Sequence, residues 1–162
     1  KARKALPAAA VKDFDDIVEQ RVLGASKHIQ MIGKMIEQIA VDSVETNRTI
    51  AEMLERIQEV CQFFIHTRGE ASQAITNAVY LMTARYRQHE ERDIRTYAQR
   101  IIDVKKQYER DCTAASETAV SYAVEIGNRM SAIMVYDYSS SVEAYTGKPC
   151  DQWRCSLRSA MS

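Results

Sequence analysis

Apolar residues recur along most of this chain at alternating intervals of four and three, and that spacing places them on one face of an α-helix. The clearest series, in the segment 25–41, consists of Ala25, Ile29, Ile32, Ile36 and Ile39. With five glycines and two prolines in 162 residues, the chain has few breaks and suits long helices with short connections. We therefore predict a mainly α fold, an antiparallel helical bundle.

The same periodicity predicts five helices, over residues 11–21, 25–41, 43–67, 70–88 and 91–126. Asp42 and Glu45 have the spacing of a capping pair for the third helix, and Gly69 is placed to end it. The basic, small-residue-rich segment before the first helix is expected to be a frayed arm or a cloning remnant.

The fifth predicted helix is unusually long, and its apolar face has two parts. The first part is a heptad-like stripe of Ile94, Tyr97, Ile101, Val104 and Tyr108. The stripe falters around Asp111 and then resumes at Ala115, Ala119, Tyr122 and Ile126. We expect a kink or a change of packing partner near Asp111.

The segment after this helix changes character. Residues 133–136 form a short β-prone run, which leads into the polar corner Asp137-Tyr138-Ser139-Ser140-Ser141 and a short helix over 140–145. A buried strand followed by a polar turn and a helix is the opening unit of a parallel α/β sheet. We therefore predict a helical domain over 1–128 and, over 129–162, a single βα unit of an incomplete Rossmann-like domain with an irregular tail.

Charge and composition exclude several classes of function. Lys+Arg and Asp+Glu both number 22, so no net charge attracts nucleic acid or an anionic membrane. No apolar run approaches the roughly 20 residues that span a bilayer, and no signal-peptide core follows the basic N-terminus. Cys61 and Cys112 lie within helical patterns and are interpreted as thiols packed in the interior as small hydrophobes, and Cys150 and Cys155 as structural thiols. The three histidines are interpreted as surface or hydrogen-bonded side chains. We expect no metal, no cofactor and a cytoplasmic location.

Three places combine polar groups with a helix boundary, and each has two interpretations. The corner 137–141 offers hydroxyls and helix-start amides to a phosphate or carboxylate, although the same serines would serve as a plain cap. Arg68 either meets an anion through its guanidinium or complements the helix dipole. Gly24 either lets a ligand come close to a helix start or belongs to an ordinary turn.

Taken together, these places resemble one protein family. Arg21-Val-Leu-Gly-Ala-Ser26 is similar to its Gly-Ala helix start. Thr67-Arg68-Gly-Glu-Ala-Ser-Gln-Ala-Ile-Thr-Asn-Ala-Val79 is similar to its Arg-containing link into an Asn-Ala helix, and Ile133-Met-Val-Tyr-Asp-Tyr-Ser-Ser-Ser-Val142 to its first strand and loop. The family comprises the translation initiation factor 2B alpha/beta/delta subunits and the related ribose bisphosphate and methylthioribose phosphate isomerases. The resemblance covers roughly residues 17–145.

The resemblance implies a helical N-terminal domain, a larger Rossmann-like domain and a sugar phosphate or nucleotide as ligand. The ligand would be held by Gly24, Ala25, Ser26 and Arg68, with Ser139, Ser140 and Ser141 closing on it. The isomerases carry a catalytic Cys where this chain has Asp137 and often an Arg where it has Leu23, and their catalytic Asp comes from a later strand than this sequence contains. The leading hypothesis is therefore a non-catalytic protein.

The same resemblance suggests assembly with other chains, as a homo- or hetero-oligomer or as a subunit of a guanine-nucleotide-exchange complex. Two alternatives stay open at this point. The first is a sugar-phosphate isomerase in which Asp137 replaces the thiol as acid or base. The second is a helical interaction module without a ligand, because a heptad-like seam over 94–108 can pack against another chain.

Overall fold

The helical periodicity is realised in the computed structural model, which describes residues 1–84, 92–130, 133 and 140–147. These residues form seven α-helices and one π-helical turn, Ile65–Gly69: α1 (Ala2–Ala5), α2 (Ala8–Val18), α3 (Ala25–Glu45), α4 (Ile50–Phe64), α5 (Gln73–Ala84), α6 (Ile94–Gly127) and α7 (Ser140–Thr146). The prediction of a mainly α fold is confirmed, and no β-strand occurs within the described ranges.

The predicted βα unit is only partly visible in the described residues. Its helix corresponds to α7, whereas Ile133 is the one described residue of the predicted strand 133–136 and belongs to no strand. The Rossmann-like domain and the domain boundary at 128 therefore stay predictions. By its internal contacts the chain divides within α6, into a first unit of Lys1–Asp111 and a second unit of Cys112–Ser162.

The N-terminal segment belongs to the first unit, and the prediction of a frayed arm is wrong. α1 packs against α4, and Ala2, Ala5 and Leu6 are buried. Arg3 ties the segment to α2, because its Nε and Nη2 atoms each donate to a carboxylate oxygen of Asp15 at 2.8 Å. A few small apolar residues carry no periodic signal, so periodicity alone does not reveal this packing.

α3 is the central helix of the first unit and packs against α2, α4 and α5. The predicted apolar face is confirmed: Ile32, Ile36 and Ile39 are fully buried, and Ala25 and Ile29 pack at the edge of the same core. Full burial of each such isoleucine contributes about 1.5–3 kcal/mol. Most of the stability of α3 therefore comes from this face.

α3 ends later than predicted, in a Schellman motif whose left-handed residue is Asn47, at φ 51°. The Asn47 N–H donates to Val44 O at 3.2 Å, and the Arg48 N–H donates to Ser43 O at 2.9 Å. Asparagine is one of the few non-glycine residues that tolerate this backbone region. The motif stops α3 and turns the chain toward α4.

The predicted capping pair of Asp42 and Glu45 is wrong, because α3 continues to Glu45 and both residues lie within this helix. Thr49 and Glu52 form the actual capping box: the Thr49 side chain accepts from the Glu52 N–H, and the Glu52 carboxylate accepts from the Thr49 N–H. Asp42 instead accepts from Nη1 of Arg56 at 2.6 Å. Both pairs have the same spacing, so local pattern alone does not separate them.

The C-terminal end of α4 widens into the π-helical turn. The turn stops at Gly69, the residue predicted to end this helix, but not through a left-handed backbone, since Gly24 is the one described glycine with positive φ. A Cβ at Gly69 would overlap Oγ1 of Thr76 in α5. Glycine is needed here because α5 passes close to the turn.

The three phenylalanines of the chain join α2 to α4. The Phe14 ring lies 4.9 Å from that of Phe63 and 5.3 Å from that of Phe64, measured between centroids. On one side of this cluster Arg56 contacts Ala5, and on the other side Arg68 contacts the end of α2. Later residues of α1–α2 contact later residues of α4 and its π turn, so the two segments run in the same direction.

The predicted stripe of α6 packs within the chain's own first unit. Tyr97 and Ile101 are buried, and Ile94 and Tyr108 pack at the core edge. Lys105 is buried beside them and pairs through Nζ with Glu37 of α3 and with Glu109, both at 2.9 Å. The seam that motivated the interaction-module alternative is therefore occupied within the chain.

Candidate functional site

The connection between α2 and α3 carries the first motif of the family resemblance, and it begins with a Schellman motif at the end of α2. Gln20 takes the left-handed position, at φ 57°. Its N–H donates to Ile17 O at 3.2 Å, and the Arg21 N–H donates to Asp16 O at 2.9 Å. Main-chain hydrogen bonds alone thus fix the backbone at the start of this connection.

A buried carboxylate stabilises the same connection. Asp16 is 8% exposed, and its two oxygens accept from Lys12 Nζ and Arg21 Nε, each at 2.6 Å. Arg21 also pairs with Glu19. Arg21, the first residue of the motif, is thus engaged within the chain. The separation of five between Asp16 and Arg21 crosses the end of a helix, so no helical-pair rule predicts the contact.

Replacing Asp16 by asparagine should flatten the acid dependence of stability. The hydrogen bond from Lys12, and next that from Arg21, hold the pKa of Asp16 below its ordinary value. A carboxyl with a lowered folded pKa stabilises the fold above its unfolded pKa of about 3.9, and this contribution is lost as the pH falls through the folded pKa.

Urea denaturation followed by circular dichroism between pH 7 and pH 2 measures this effect. We expect the stability of the unmodified chain to fall more steeply below about pH 4 than that of Asp16→Asn. Asp103→Asn, a change at an exposed position on α6, should keep the original pH profile. Parallel profiles for Asp16→Asn and the unmodified chain would contradict the role given to this carboxylate.

The start of α3 is an open helix N-terminus. Gly24 is its N-cap, at φ 95° and ψ 133°, and provides no side-chain cap. Backbone strain explains the glycine, because a side chain at this φ is strained, although no atom lies within 4 Å of where its Cβ would be. Close packing therefore does not explain Gly24. The amides of Ala25 and Lys27, in the first turn, have no acceptor within the helix and can donate to an anion.

The second and third positions of the predicted Gly-Ala-Ser site lie in this first turn. Ala25 packs at the core edge, and Ser26 and Lys27 are exposed. Just behind them His28 is buried and its Nε2 lies 2.8 Å from Val22 O, which ties the helix start to the connection. His28 is thus a buried, hydrogen-bonded histidine, which is one of the two environments that the sequence analysis left open. Lys27 was not among the predicted site residues. The sequence signal for it is a basic residue in the first turn of a helix, where the helix dipole disfavours a positive charge.

Arg68 reaches the same region from the π turn. Its Nη2 donates to Ile17 O at 2.8 Å and to Val18 O at 3.0 Å, in the last turn of α2. Val18 O is one of the carbonyls that a helix end leaves without partners, and Ile17 O, which also accepts from the Gln20 N–H, gains a second donor. The structure thus brings Arg68 to the chain segment that leads into Gly24, and these hydrogen bonds give Arg68 a structural role there.

Replacing Arg68 by alanine should lower the free energy of unfolding by about 1–2 kcal/mol, because hydrogen bonds from a charged donor contribute at this level. Arg68→Lys keeps the charge but loses the planar fork, and we expect an intermediate loss. Urea denaturation at neutral pH measures both variants. If Arg68→Ala is as stable as the unmodified chain, the clamp on α2 contributes nothing.

The third predicted part of the site is the polar corner 137–141, of which the structure describes only the last two residues. Ser140 and Ser141 begin α7, as the helix pattern predicted. Ser139 and Asp137 lie outside the described residues, and Ser140 and Ser141 belong to the second unit. Closure of this corner on the first unit stays a prediction, and so does acid or base chemistry by Asp137.

Other chemistry-bearing side chains are scattered in the described part of the chain. No group of three His, Cys, Asp or Glu residues there is arranged to hold a metal. Cys61 is buried, whereas Cys112 is exposed, so the prediction that Cys112 packs in the interior is wrong. Within the described ranges no helix is long and apolar enough to cross a membrane. No protein-family model, curated protein or solved structure matches the chain.

Proposed function

We propose that this chain is a non-catalytic, anion-binding helical protein that holds the phosphate of a sugar phosphate or nucleotide at the start of α3. The single observation that carries the proposal is the open N-terminus at Gly24, which has no side-chain cap and no described atom within 4 Å of where a Cβ would be. The family resemblance names the same position as part of a ligand site. It also motivates the non-catalytic assignment, through Asp137 in the place of the isomerases' cysteine.

The length and anchoring of α3 support this assignment. Its 21 residues align their peptide dipoles toward Gly24, and the N-terminus of a helix favours a negative charge. Ile32, Ile36 and Ile39 fix the helix in the core, so its first turn is held in place before a ligand arrives. Lys27, exposed in that turn, supplies a positive charge near the anion.

Arg68 has a positioning role in this proposal. Its hydrogen bonds to Ile17 and Val18 hold the end of α2, and the Asp16–Arg21 ion pair holds the connection that follows. These contacts orient the backbone on the approach to Gly24. Arg68→Ala would therefore change stability as well as binding, so a cleaner variant is needed to test the site.

Ala25→Pro removes one donor at the proposed site and is compatible with the fold. Proline is favoured at the first position of a helix, where its missing N–H has no helical acceptor. The ψ of 133° at Gly24 also suits a residue that precedes proline. The matched control is Ala8→Pro, which makes the same change at the exposed first position of α2, after Pro7 at ψ 156°.

A thermal-shift titration with ribose phosphate, ribose bisphosphate and purine nucleotides tests the proposal. At a hundred times the dissociation constant a bound ligand stabilises the fold by ~2.7 kcal/mol. We expect the shift to persist in Ala8→Pro and to fall sharply in Ala25→Pro and Lys27→Glu. No shift with any of these anions, or equal loss in both proline variants, would contradict the proposal. Turnover of ribose bisphosphate would favour the isomerase alternative instead.

A further inference from the structure

The second half of α6 carries an apolar face that the described residues of its own unit leave exposed. Tyr122 is 63% exposed and Ile126 is 55% exposed. Ala115 and Ala119, on the same helical face, are also exposed. Their spacing of four, three and four is that of the core positions of a coiled coil.

The opposite face of this half is the one that packs within the second unit. Val120 is 5% exposed, and Gly127 is buried beneath Tyr145 of α7, whose hydroxyl would overlap a Cβ at that glycine. α6 therefore has one packed face and one exposed apolar face between Cys112 and Gly127. A helix that is packed on one side and apolar on the other is suited to a second helical partner.

The exposed face is complementary to the same face of a second, antiparallel copy of the helix. In an antiparallel pair with its two-fold axis between positions 120 and 121, Ala115 lies opposite Ile126 of a second copy. In the same register Ala119 lies opposite Tyr122. Each large side chain thus meets a small one, which is the alternation that lets two helices approach closely and fill the space between them. A two-fold interface requires this kind of self-complementarity.

The rim of the face is also compatible with a second copy. Glu125 is neutralised within its own helix by Arg129, with Nη2 at 2.7 Å from the carboxylate. In the antiparallel register Thr118 lies near Glu125 of the other copy, where a hydroxyl can donate to a carboxylate. No like charges are brought together along this rim.

We propose that two copies of this chain associate through this face of α6, as an antiparallel two-fold pair. The apolar stretch is short: the 16 residues from Cys112 to Gly127 extend about 24 Å. A seam of this length falls among the small interfaces, below about 1,200 Å² of buried surface, and such interfaces are weak. The dimer therefore forms at high protein concentration and dissociates on dilution.

Sedimentation equilibrium over a wide concentration range tests the association. The mass of the unmodified chain should rise above the monomer value of 18.4 kDa as concentration increases. Ile126→Asp places a charge in the seam and should weaken dimerisation by at least about tenfold. Ser121→Asp, at an exposed position on another face of the same helix, should leave it unchanged. A constant monomer mass, or equal effects of the two variants, would overturn the proposal.

Disulfide cross-linking tests the orientation. In a background with Cys150 and Cys155 replaced by serine, Ala119→Cys protein mixed with Tyr122→Cys protein should form a covalent pair readily. The native Cys112 residues lie far from each other across an antiparallel seam, so the background protein alone should not cross-link. A parallel seam would place the two Cys112 side chains together. Rapid Cys112 cross-linking without an Ala119–Tyr122 pair would overturn the antiparallel arrangement.

Discussion

Replacing Arg56 by methionine should lower the free energy of unfolding by about 2–3 kcal/mol. The Arg56 side chain is 13% exposed and joins three helices. From α4 its Nε donates to Ala5 O, at the end of α1, at 2.7 Å, and its Nη1 donates to Asp42 of α3 at 2.6 Å. Removing one partner of a largely buried ion pair leaves the other charge and a carbonyl without compensation, which costs more than the pair itself contributes.

The matched control for this variant is Arg92→Met, the same substitution at an exposed arginine ahead of α6. Urea denaturation of both variants should show a large loss for Arg56→Met and a change within about 0.5 kcal/mol for Arg92→Met. Amide hydrogen exchange adds a second measurement, because α1 should lose protection first when its tie to α4 is removed. Equal stabilities of the two variants would contradict the account of how α1 is held.

Replacing Phe64 by alanine should lower the free energy of unfolding by about 3–5 kcal/mol, the largest effect that we expect from a single substitution. Phe64 is fully buried and contacts the rings of Phe14 and Phe63, both at a centroid distance of 5.3 Å. The change removes a large apolar side chain and leaves a cavity among rings that cannot all relax into it. A loss of this size is a large part of the 5–15 kcal/mol that stabilises an ordinary domain.

Phe63→Ala is the internal comparison, because Phe63 is in the same cluster but is only partly buried. We expect it to cost clearly less than Phe64→Ala, since part of the Phe63 ring is already in contact with water. Urea denaturation followed by circular dichroism at 222 nm compares the two. A greater loss for Phe63→Ala would contradict the central place of Phe64 in the packing of α2 on α4.

Regular periodicity is the part of the fold that was predictable from sequence. The face of α3 was predicted because Ile32, Ile36 and Ile39 recur at helical spacing, and the structure buries all three. The packing of α1 was not predictable, since Ala2 and Ala5 form no periodic pattern. The start of α4 was misplaced because two segments share one capping pattern, and the deciding factor is that α3 stays helical through Glu45.

The candidate site was predictable only where the local backbone conformation requires a particular residue type. Gly24 was identified from sequence, and its positive φ explains why glycine stands there. The hydrogen bonds of Arg68 to α2 join residues about fifty positions apart, and the pairing of Asp16 with Arg21 crosses a helix end. Neither contact follows from spacing along one helix, so tertiary structure is needed to show that these arginines hold the α2–α3 connection.

The central claim is that a phosphate binds at the first turn of α3, and amide chemical shifts test it most directly. In a titration of the ¹⁵N-labelled chain with ribose phosphate, the account predicts that the amide signals of Ala25 and Lys27 move first and furthest. The amides of Thr49 and Glu52 at the start of α4, which already donate within the capping box, should stay unchanged. Shifts of equal size at both helix starts, or none at Ala25 and Lys27, would contradict it.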